Sequence, residues 1–462
     1  MPILKHCWAA AACFALWSSA CGAAEEVGLS ENPMVGSARM VRIGEAWAKN
    51  TVNTVIFRTD AVTTHGDTQY AAYYDPAGRM VLAKRKLGSD KWHTRLTRFT
   101  GNVKDAHCCI SIAADGRGYL HVSWGHHNIP LRYARSVYPG SLLLSDPIPM
   151  TGQREQRVTY PEFFKLGSGD LICMYRDGMS GSGDTILNLW SAKDRQWRPV
   201  QHPLISGEGQ RNAYTNGIAV DRNGVWHISW CWRETGDVAT NHDICYARSS
   251  DGGLTWTKST GEKYELPITE ANAEVVCRVP QRSDMINHCS MAVDSRGNPM
   301  IATYWRPEGA SAPQYHLIRH DGTGWRVGRV GNRTLDFKLE GFGTRRPPAS
   351  RPDLAVDRED RVYVLFRDRD RGDKVSVGVS DDSNRERWSF VDLTADSVGL
   401  WEPNYDRELW ERDGILHIFV QRCGQGEAET TEDLPPQPVS ILEWRPDSAP
   451  RGTELIPGQT RG

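Results

Sequence analysis

The sequence predicts an all-β fold, a seven-bladed β-propeller of four-stranded antiparallel blades. Two observations lead there. A unit made of a short strand, an Asp-x-x-Gly turn and a second strand recurs along the chain, at intervals of about 40 to 70 residues that match radially repeated blades. Within each copy, runs of β-branched and aromatic residues are bounded by Asp and Gly, the composition of strands and tight turns. The 17 Trp, 15 Tyr and 43 Gly among 462 residues supply strand faces and turns throughout.

Taken in order, ARMVRIGEAWA at 38–48 precedes the first copy and is expected to supply the missing outer strand of the last blade, closing the ring. NTVIFRTD at 53–60 is expected as the first strand of blade one, whose Asp75-to-Gly78 turn then joins the second and third strands. The clearer copies are IAADGRGYLHVSW at 112–124, FFKLGSGDLICMY at 163–175, IAVDRNGVWHISW at 218–230, MAVDSRGNPMIAT from 291, LAVDREDRVYVLF from 354 and LWERDGILHIFV from 409. Third strands follow as LRYARS, LNLWSAK, ICYARSS, YHLIRHD and VSVGVSD, with Trp-marked fourth strands near 196, 255, 324 and 387. The length alone would suggest about three domains, but one closed ring absorbs the whole chain. A single propeller domain over 25–462 is expected.

The first 24 residues read as a secretory signal: Lys5 and His6, an apolar run to Trp17, then small residues through Ala24 before Glu25 and Glu26. The run is too short to span a bilayer, so the protein is expected to be secreted or periplasmic. Lipid attachment at Cys21 is the weaker alternative, because residues 17–20 lack the usual aliphatic residue. A net charge of -2 argues against a general nucleic-acid or membrane role, and a monomer is expected.

Cys108, Cys109, Cys173, Cys231, Cys245, Cys277, Cys289 and Cys423 follow the signal. Some could pair in an exported chain, but most sit inside strand patterns where cysteine is a small buried hydrophobe. No cofactor is required. Cys231, His242, Asp243 and Cys245 could gather a structural zinc ion, though their spacing is not diagnostic. Ser249 to Trp256 form the S-x-D-x-G-x-T-W Asp-box of sialidase-type propellers, whose Ser and Asp fold a hairpin between third and fourth strands and say nothing about substrate.

The chemistry must come from positions that the repeat brings together. Just ahead of the first strands stand His107, Tyr160, Tyr214, His288 and Arg351, and at the ends of the second strands stand His127, Arg176, Arg233, Arg306 and Arg367. A lone His or Tyr there is more often structural, and surface arginines are usually solvated. The same position filled in five blades of a nearly neutral protein favours one convergent cleft. A cationic, aromatic cleft suits an acidic polysaccharide. The sequence offers no obvious glycosidase carboxylate pair, GxSxG elbow or HExxH motif, whereas His, Tyr and Arg equip β-elimination. There a base takes the proton α to a uronate carboxylate, a cation stabilises the resulting charge and an acid protonates the leaving O4.

AHCCISIAADGRGYLHVSWGHHNIPLRYARS, followed by VTYPEFF, YRDG and NAYTNGIAVD, resembles the BNR-type seven-bladed propellers that include the ulvan lyases. The resemblance covers most of the chain and is strongest over 105–256. It implies β-elimination at a uronic acid next to sulfated rhamnose, with His107 and Tyr160 transferring protons, His127 as second histidine, Arg176 neutralising the carboxylate and Tyr214 contacting substrate. His126 competes with His127 for its place by one residue. With Arg233, His288, Arg306 and Arg351 it is counted among the substrate-binding positions. Tyr160 is expected to act as base, its phenolate favoured by nearby cations. A sialidase-like glycoside hydrolase and a non-catalytic carbohydrate-binding propeller are the alternatives.

Overall fold

The computed structural model describes residues 38–446, apart from 59 and 381–383. The expected signal segment and Cys21 lie outside the described residues. The chain is a seven-bladed β-propeller of antiparallel sheets, with one short α-helix among the described residues.

Blade one is Val62–His65, Thr68–Tyr74, Arg79–Lys86 and His93–Thr100. Blade two has three strands, Ile110–Ala114, Leu120–Trp124 and Tyr133–Arg135, with a single Ser136 to Leu144 bridge beyond them. Blade three runs Val158–Lys165, Leu171–Met179, Ser182–Ser191 and Gln196–Ile205, and gains a fifth, innermost strand, His127–Ile129. Blade four is Asn212–Val220, Trp226–Arg233, Asn241–Ser249 and Glu274–Cys277. Blade five is Ser290–Val293, Pro299–Trp305, Gln314–His320 and Trp325–Val330, and blade six is Asp353–Val356, Val362–Phe366, Ser376–Ser380 and Trp388–Asp392. Blade seven combines Leu416–Gln421 and Gln437–Trp444 with Arg39–Ala46 from the start of the chain.

The Asp-x-x-Gly turns form by one local device. In each, the aspartate Oδ1 accepts the backbone N–H groups two and four residues later: Asp115 from Arg117 and Tyr119, Asp221 from Asn223 and Val225, Asp294 from Arg296 and Asn298; Asp357, whose turn has Asp360 in place of the glycine, accepts likewise from Glu359 and Arg361. These bonds need no tertiary partner, so the repeat is legible in sequence. Asp75 makes the same turn between the second and third strands of blade one, as expected.

Three expected elements differ. The expected strand at 53–60 does not form among its described residues: the chain turns, forms the 3-10 helix Ile56–Arg58, and the first strand of blade one begins at Val62. The Asp-box turn forms with Gly253 N–H donating to Ser249 Oγ, Thr255 N–H donating to Asp251 Oδ1 and Trp256 buried, but no fourth strand follows at 255. The outer strand of blade four comes only at Glu274–Cys277. In the last copy, the expected inner strand is instead the helix Arg407–Asp413, capped by Asp406, which accepts from Leu409 N–H, and by Gly414 at φ 64°.

The seventh blade is closed by both chain regions. Arg39–Ala46 pairs with Gln437–Trp444 in antiparallel register, Met40 opposite Leu442 and Val41 opposite Ile441. The stretch preceding the helix replaces the absent inner strand, Ala61 N–H donating to Asn404 Oδ1 at 2.7 Å and Gln69 Nε2 to Asp406 Oδ2 at 2.7 Å, which ties blade seven to blade one. Apolar faces pack between neighbouring blades: Ile172, Leu187 and Leu204 of blade three meet Trp226, Ile228 and Trp230 of blade four. All eight described cysteines are free thiols, seven of them buried.

Candidate active site

Eight of the expected positions gather at one mouth of the ring. The local structure explains how each arrives. Asp105 caps the 3-10 helix Ala106–Cys108, its Oδ1 accepting both the His107 backbone N–H at 2.9 Å and His107 Nδ1–H at 2.8 Å. Its Oδ2 accepts from His127 Nδ1 at 2.6 Å, and the two imidazoles stack 4.1 Å apart and 14° from parallel. An ionised carboxylate only accepts, so both Nδ1 atoms carry protons and both Nε2 atoms face away from Asp105. Tyr160 lies at a bulge between Thr159 and Glu162, at φ 56°, and His288 is held at φ 53°. Bulges and left-handed backbone re-aim side chains at functional mouths.

Phe57, from the helix that replaces the expected strand, is the floor. Its ring lies 5.7 Å from His107, 4.9 Å from Tyr160 and 5.9 Å from His288, and Arg351 stacks on its face at 5.6 Å. Arg351 is held by Asn287 O at 2.7 Å and by Glu402 at 2.8 Å. Tyr160 packs edge-on against His288 at 4.3 Å, and Tyr214 lies 5.1 Å from the same histidine. Arg176 stands 5.0 Å over the Tyr160 ring and donates from Nη1 to the Tyr214 hydroxyl at 3.2 Å, while Arg233 stacks on Tyr214 at 5.1 Å.

The electrostatics divide the cluster. Burial disfavours an imidazolium, but Asp105 and Glu429, the latter 3.2 Å from Nδ1, overcome it and raise His107 to about 9. Burial also opposes ionisation of Asp105, yet the two histidines hold it well below the usual carboxylate range. Burial likewise opposes a Tyr214 phenolate, but Arg233, Arg176 and the Ser180 hydroxyl pull it down to about 8. Tyr160 goes the other way: its burial outweighs the arginines and pushes its phenol well up. Arg176 donates its hydrogen bond to Tyr214 rather than to Tyr160, so in this arrangement the phenolate is favoured at Tyr214 and the neutral phenol at Tyr160. His288 is kept neutral, first by burial and then by Arg351.

Other expected residues lie elsewhere. His126 is buried and its Nε2 accepts the Arg132 backbone N–H at 2.8 Å, so it belongs to the wall, and His127 takes the cleft position. Burial and Arg132 lower His126 to about 3. Arg306 spends its guanidinium on Asp284, Asp336 and two backbone carbonyls, and the buried Arg367 is bound to Asp373 and carbonyls of 347 and 348. Neither joins the aromatic cluster. Near the expected metal position, Cys245 is packed in the core between blades three and four while His242 pairs with Glu234 at 2.9 Å, so strand alternation separates them.

Among the described residues, one group of metal-ligating type converges: Asp105, His107 and His127 offer atoms within 4.8 Å of one another. Both histidines turn Nδ1–H toward Asp105, one on each carboxylate oxygen, and a protonated nitrogen is not a metal ligand.

Asp105, Phe57, Glu402 and Glu429 were not singled out in the sequence. Asp105 stands two residues before His107 and could have been found as a cap; Glu429 comes from a loop of blade seven and has no local signal. A cavity of about 1560 Å³ lies behind the floor and is lined toward the opposite mouth by Asp221, Asp294 and Asp357. Phe57, Glu162, Thr215 and His288 line it at the end next to the cluster. His107, His127 and the arginines converge at the outer mouth instead.

Known structures share this architecture. The solved structure of a polysaccharide lyase of family PL25, an ulvan lyase, superposes with a TM-score of 0.64 at 16% identity, covering 86% of this chain and 98% of that one. A second structure of such an enzyme, bound to -[GlcA(1-4)Rha3S]-, gives 0.63 at 16% identity over 86% and 98% of the two chains. The polysaccharide lyase Uly1 gives 0.63 at 16% identity, over 87% and 91%. At such identity the likeness establishes the fold. No curated protein matches the sequence. Residues 68–333, more than half of the chain, match the model of a family described as "BNR repeat-containing family member". On that match and the seven-bladed ring, this chain belongs to the BNR repeat-containing family.

Proposed function

We propose that this protein is an exported polysaccharide lyase that cleaves a uronate-containing, ulvan-like polymer by β-elimination. The observation that carries the reading is the histidine pair clamped on Asp105 beside the Tyr160 ring and the guanidinium groups of Arg176 and Arg233. With its Nδ1–H given to Asp105, His127 presents a free Nε2 lone pair, and its side chain is 37% exposed where substrate arrives. It takes the C5 proton. His107, protonated near neutral pH, and Arg176 with Arg233 stabilise the charge that grows on the uronate carboxylate. The C4–O4 bond then breaks with its electron pair on oxygen, a C4=C5 double bond forms, and the Tyr160 phenol protonates O4. The high pKa of Tyr160 suits an acid, since the proton must still be present when the leaving oxygen develops charge.

The fold-level likeness to an ulvan lyase bound to glucuronate and sulfated rhamnose supports this substrate class. Absorbance near 235 nm on a panel of uronic acid polysaccharides tests it. A lyase makes the conjugated unsaturated product; a hydrolase would release sugars without it, and a binding propeller would retain the polymer unchanged.

A further inference from the structure

Beyond the reacting centre, Phe342 stands 66% exposed on the loop between blades five and six. What sets Phe342 apart is that its ring is presented rigidly beside the mouth, a flat apolar surface of the kind on which a sugar ring stacks. Its loop is tied down on both sides. Gly341 N–H donates to Asp237 Oδ1 at 2.6 Å, Val238 N–H donates to Gly341 O at 3.0 Å, and Thr344 N–H donates to Glu429 Oε1 at 3.0 Å. Arg345 and Arg346 both pair with Glu427.

These anchors lead straight to the cluster. Glu429, which holds Thr344, is the second carboxylate beside His107 Nδ1, after Asp105. Gly236, whose carbonyl accepts from Arg233, lies beneath the Phe342 ring, and a Cβ built there would come within 2.6 Å of it. The ring therefore rests on bare backbone, between the His107 side and the Arg233 side of the mouth.

We propose that Phe342 is the stacking platform of a distal sugar subsite, taking the apolar face of a pyranose at least one unit away from the bond that is cut. The aromatic ring supplies a flat apolar surface of low conformational freedom. The substrate class rests on the lyase reading above; the subsite itself does not.

The test uses the whole protein, with affinity electrophoresis through polysaccharide gels and 235 nm kinetics on polymer and on the shortest oligosaccharide that is cut. Phe342→Ala should weaken gel retardation and raise KM for polymer roughly tenfold, with kcat within about twofold and with little effect on the shortest substrate. Phe342→Trp should restore binding. Gly236→Ala should reproduce the KM defect with the aromatic ring still present, because its methyl group displaces it. Leu254→Ala, at an exposed residue of the Asp-box turn, is the control and should change nothing. Wild-type retardation and polymer KM in Phe342→Ala would overturn the subsite. If the wild type makes no unsaturated product on any polymer yet is retarded, and Phe342→Ala abolishes retardation, the lyase reading falls and the subsite stands.

Discussion

Replacing Asp105 by Asn removes the one negative charge that both imidazoles share while keeping a side chain of the same shape. A rise of His107 from 6.5 to about 9 corresponds to about 3 kcal/mol of preference for the imidazolium, supplied by Asp105 and Glu429 against the opposing burial. Without Asp105, burial is opposed by Glu429 alone, and the pKa should fall to the ordinary value or below. At pH 7.5, His107 would pass from roughly 97% to roughly 9% protonated or less. His127 would lose the acceptor that fixes its Nδ1–H tautomer, so its Nε2 would carry a lone pair only part of the time. We expect kcat for unsaturated product to drop at least about a hundredfold, the scale of a lost acid or base partner, with KM changed far less. A purely structural role would not shift the wild-type alkaline limb near pH 9; this role should move it below pH 7 in Asp105→Asn. Nuclear magnetic resonance titration of the imidazole protons reads the same change without substrate. Stability carries a matching sign. A folded-state pKa raised above the unfolded value contributes stabilisation that is complete below about pH 6.5 and is lost as pH rises through about 9. Between about pH 6.5 and 8, before Tyr214 begins to add stabilisation of the opposite sign, wild-type unfolding free energy should therefore decline with pH more steeply than that of Asp105→Asn. A variant with wild-type kcat, or a His107 resonance still titrating near 9, would refute the reasoning.

Tyr160→Phe should lower kcat by about two orders of magnitude or more while sparing KM, because it deletes only the acid's hydroxyl; product formation at 235 nm checks it, and near-normal turnover would move the acid elsewhere. His126→Phe should leave KM and kcat within about twofold but cost about 1–3 kcal/mol in denaturant unfolding, since the Arg132 N–H loses its buried acceptor. Deleting the chain through Ala46 exposes the edge of Gln437–Trp444, so size-exclusion chromatography should find aggregation or a ring with a much lower Tm. Unchanged Tm and a monodisperse profile would contradict that closing role.

Local bonds made the ring legible. Asp115, Asp221, Asp294 and Asp357 fold their turns with partners at most four residues away, so the repeat and the count of seven blades follow from pattern alone. The same locality misled at three places. The apolar run around Phe57 has strand composition, but it is buried as the floor of a site, and periodicity cannot tell one kind of burial from the other. Trp256 marks a turn whose ring plugs the core, and the edge strand forms only after Tyr264. Residues 407–413 carry their own caps in Asp406 and Gly414, signals that the alignment to other blades had obscured.

At the site, the sequence by itself determined the residue types and their recurrent place ahead of and behind the strands, because a repeat fixes where each strand begins. It did not determine which residues act. His127 rather than His126 faces the cleft because successive strand residues point to opposite sides, and a one-residue register is set by pairing with Thr159. Tertiary structure decided the charge states as well. Asp105 unites two histidines 20 residues apart, Glu429 reaches His107 from the last blade, and Arg176 favours Tyr214 over Tyr160 by a bond to a strand in the next blade. Proton affinities depend on distance and burial through space, and those quantities exist only once the ring has closed.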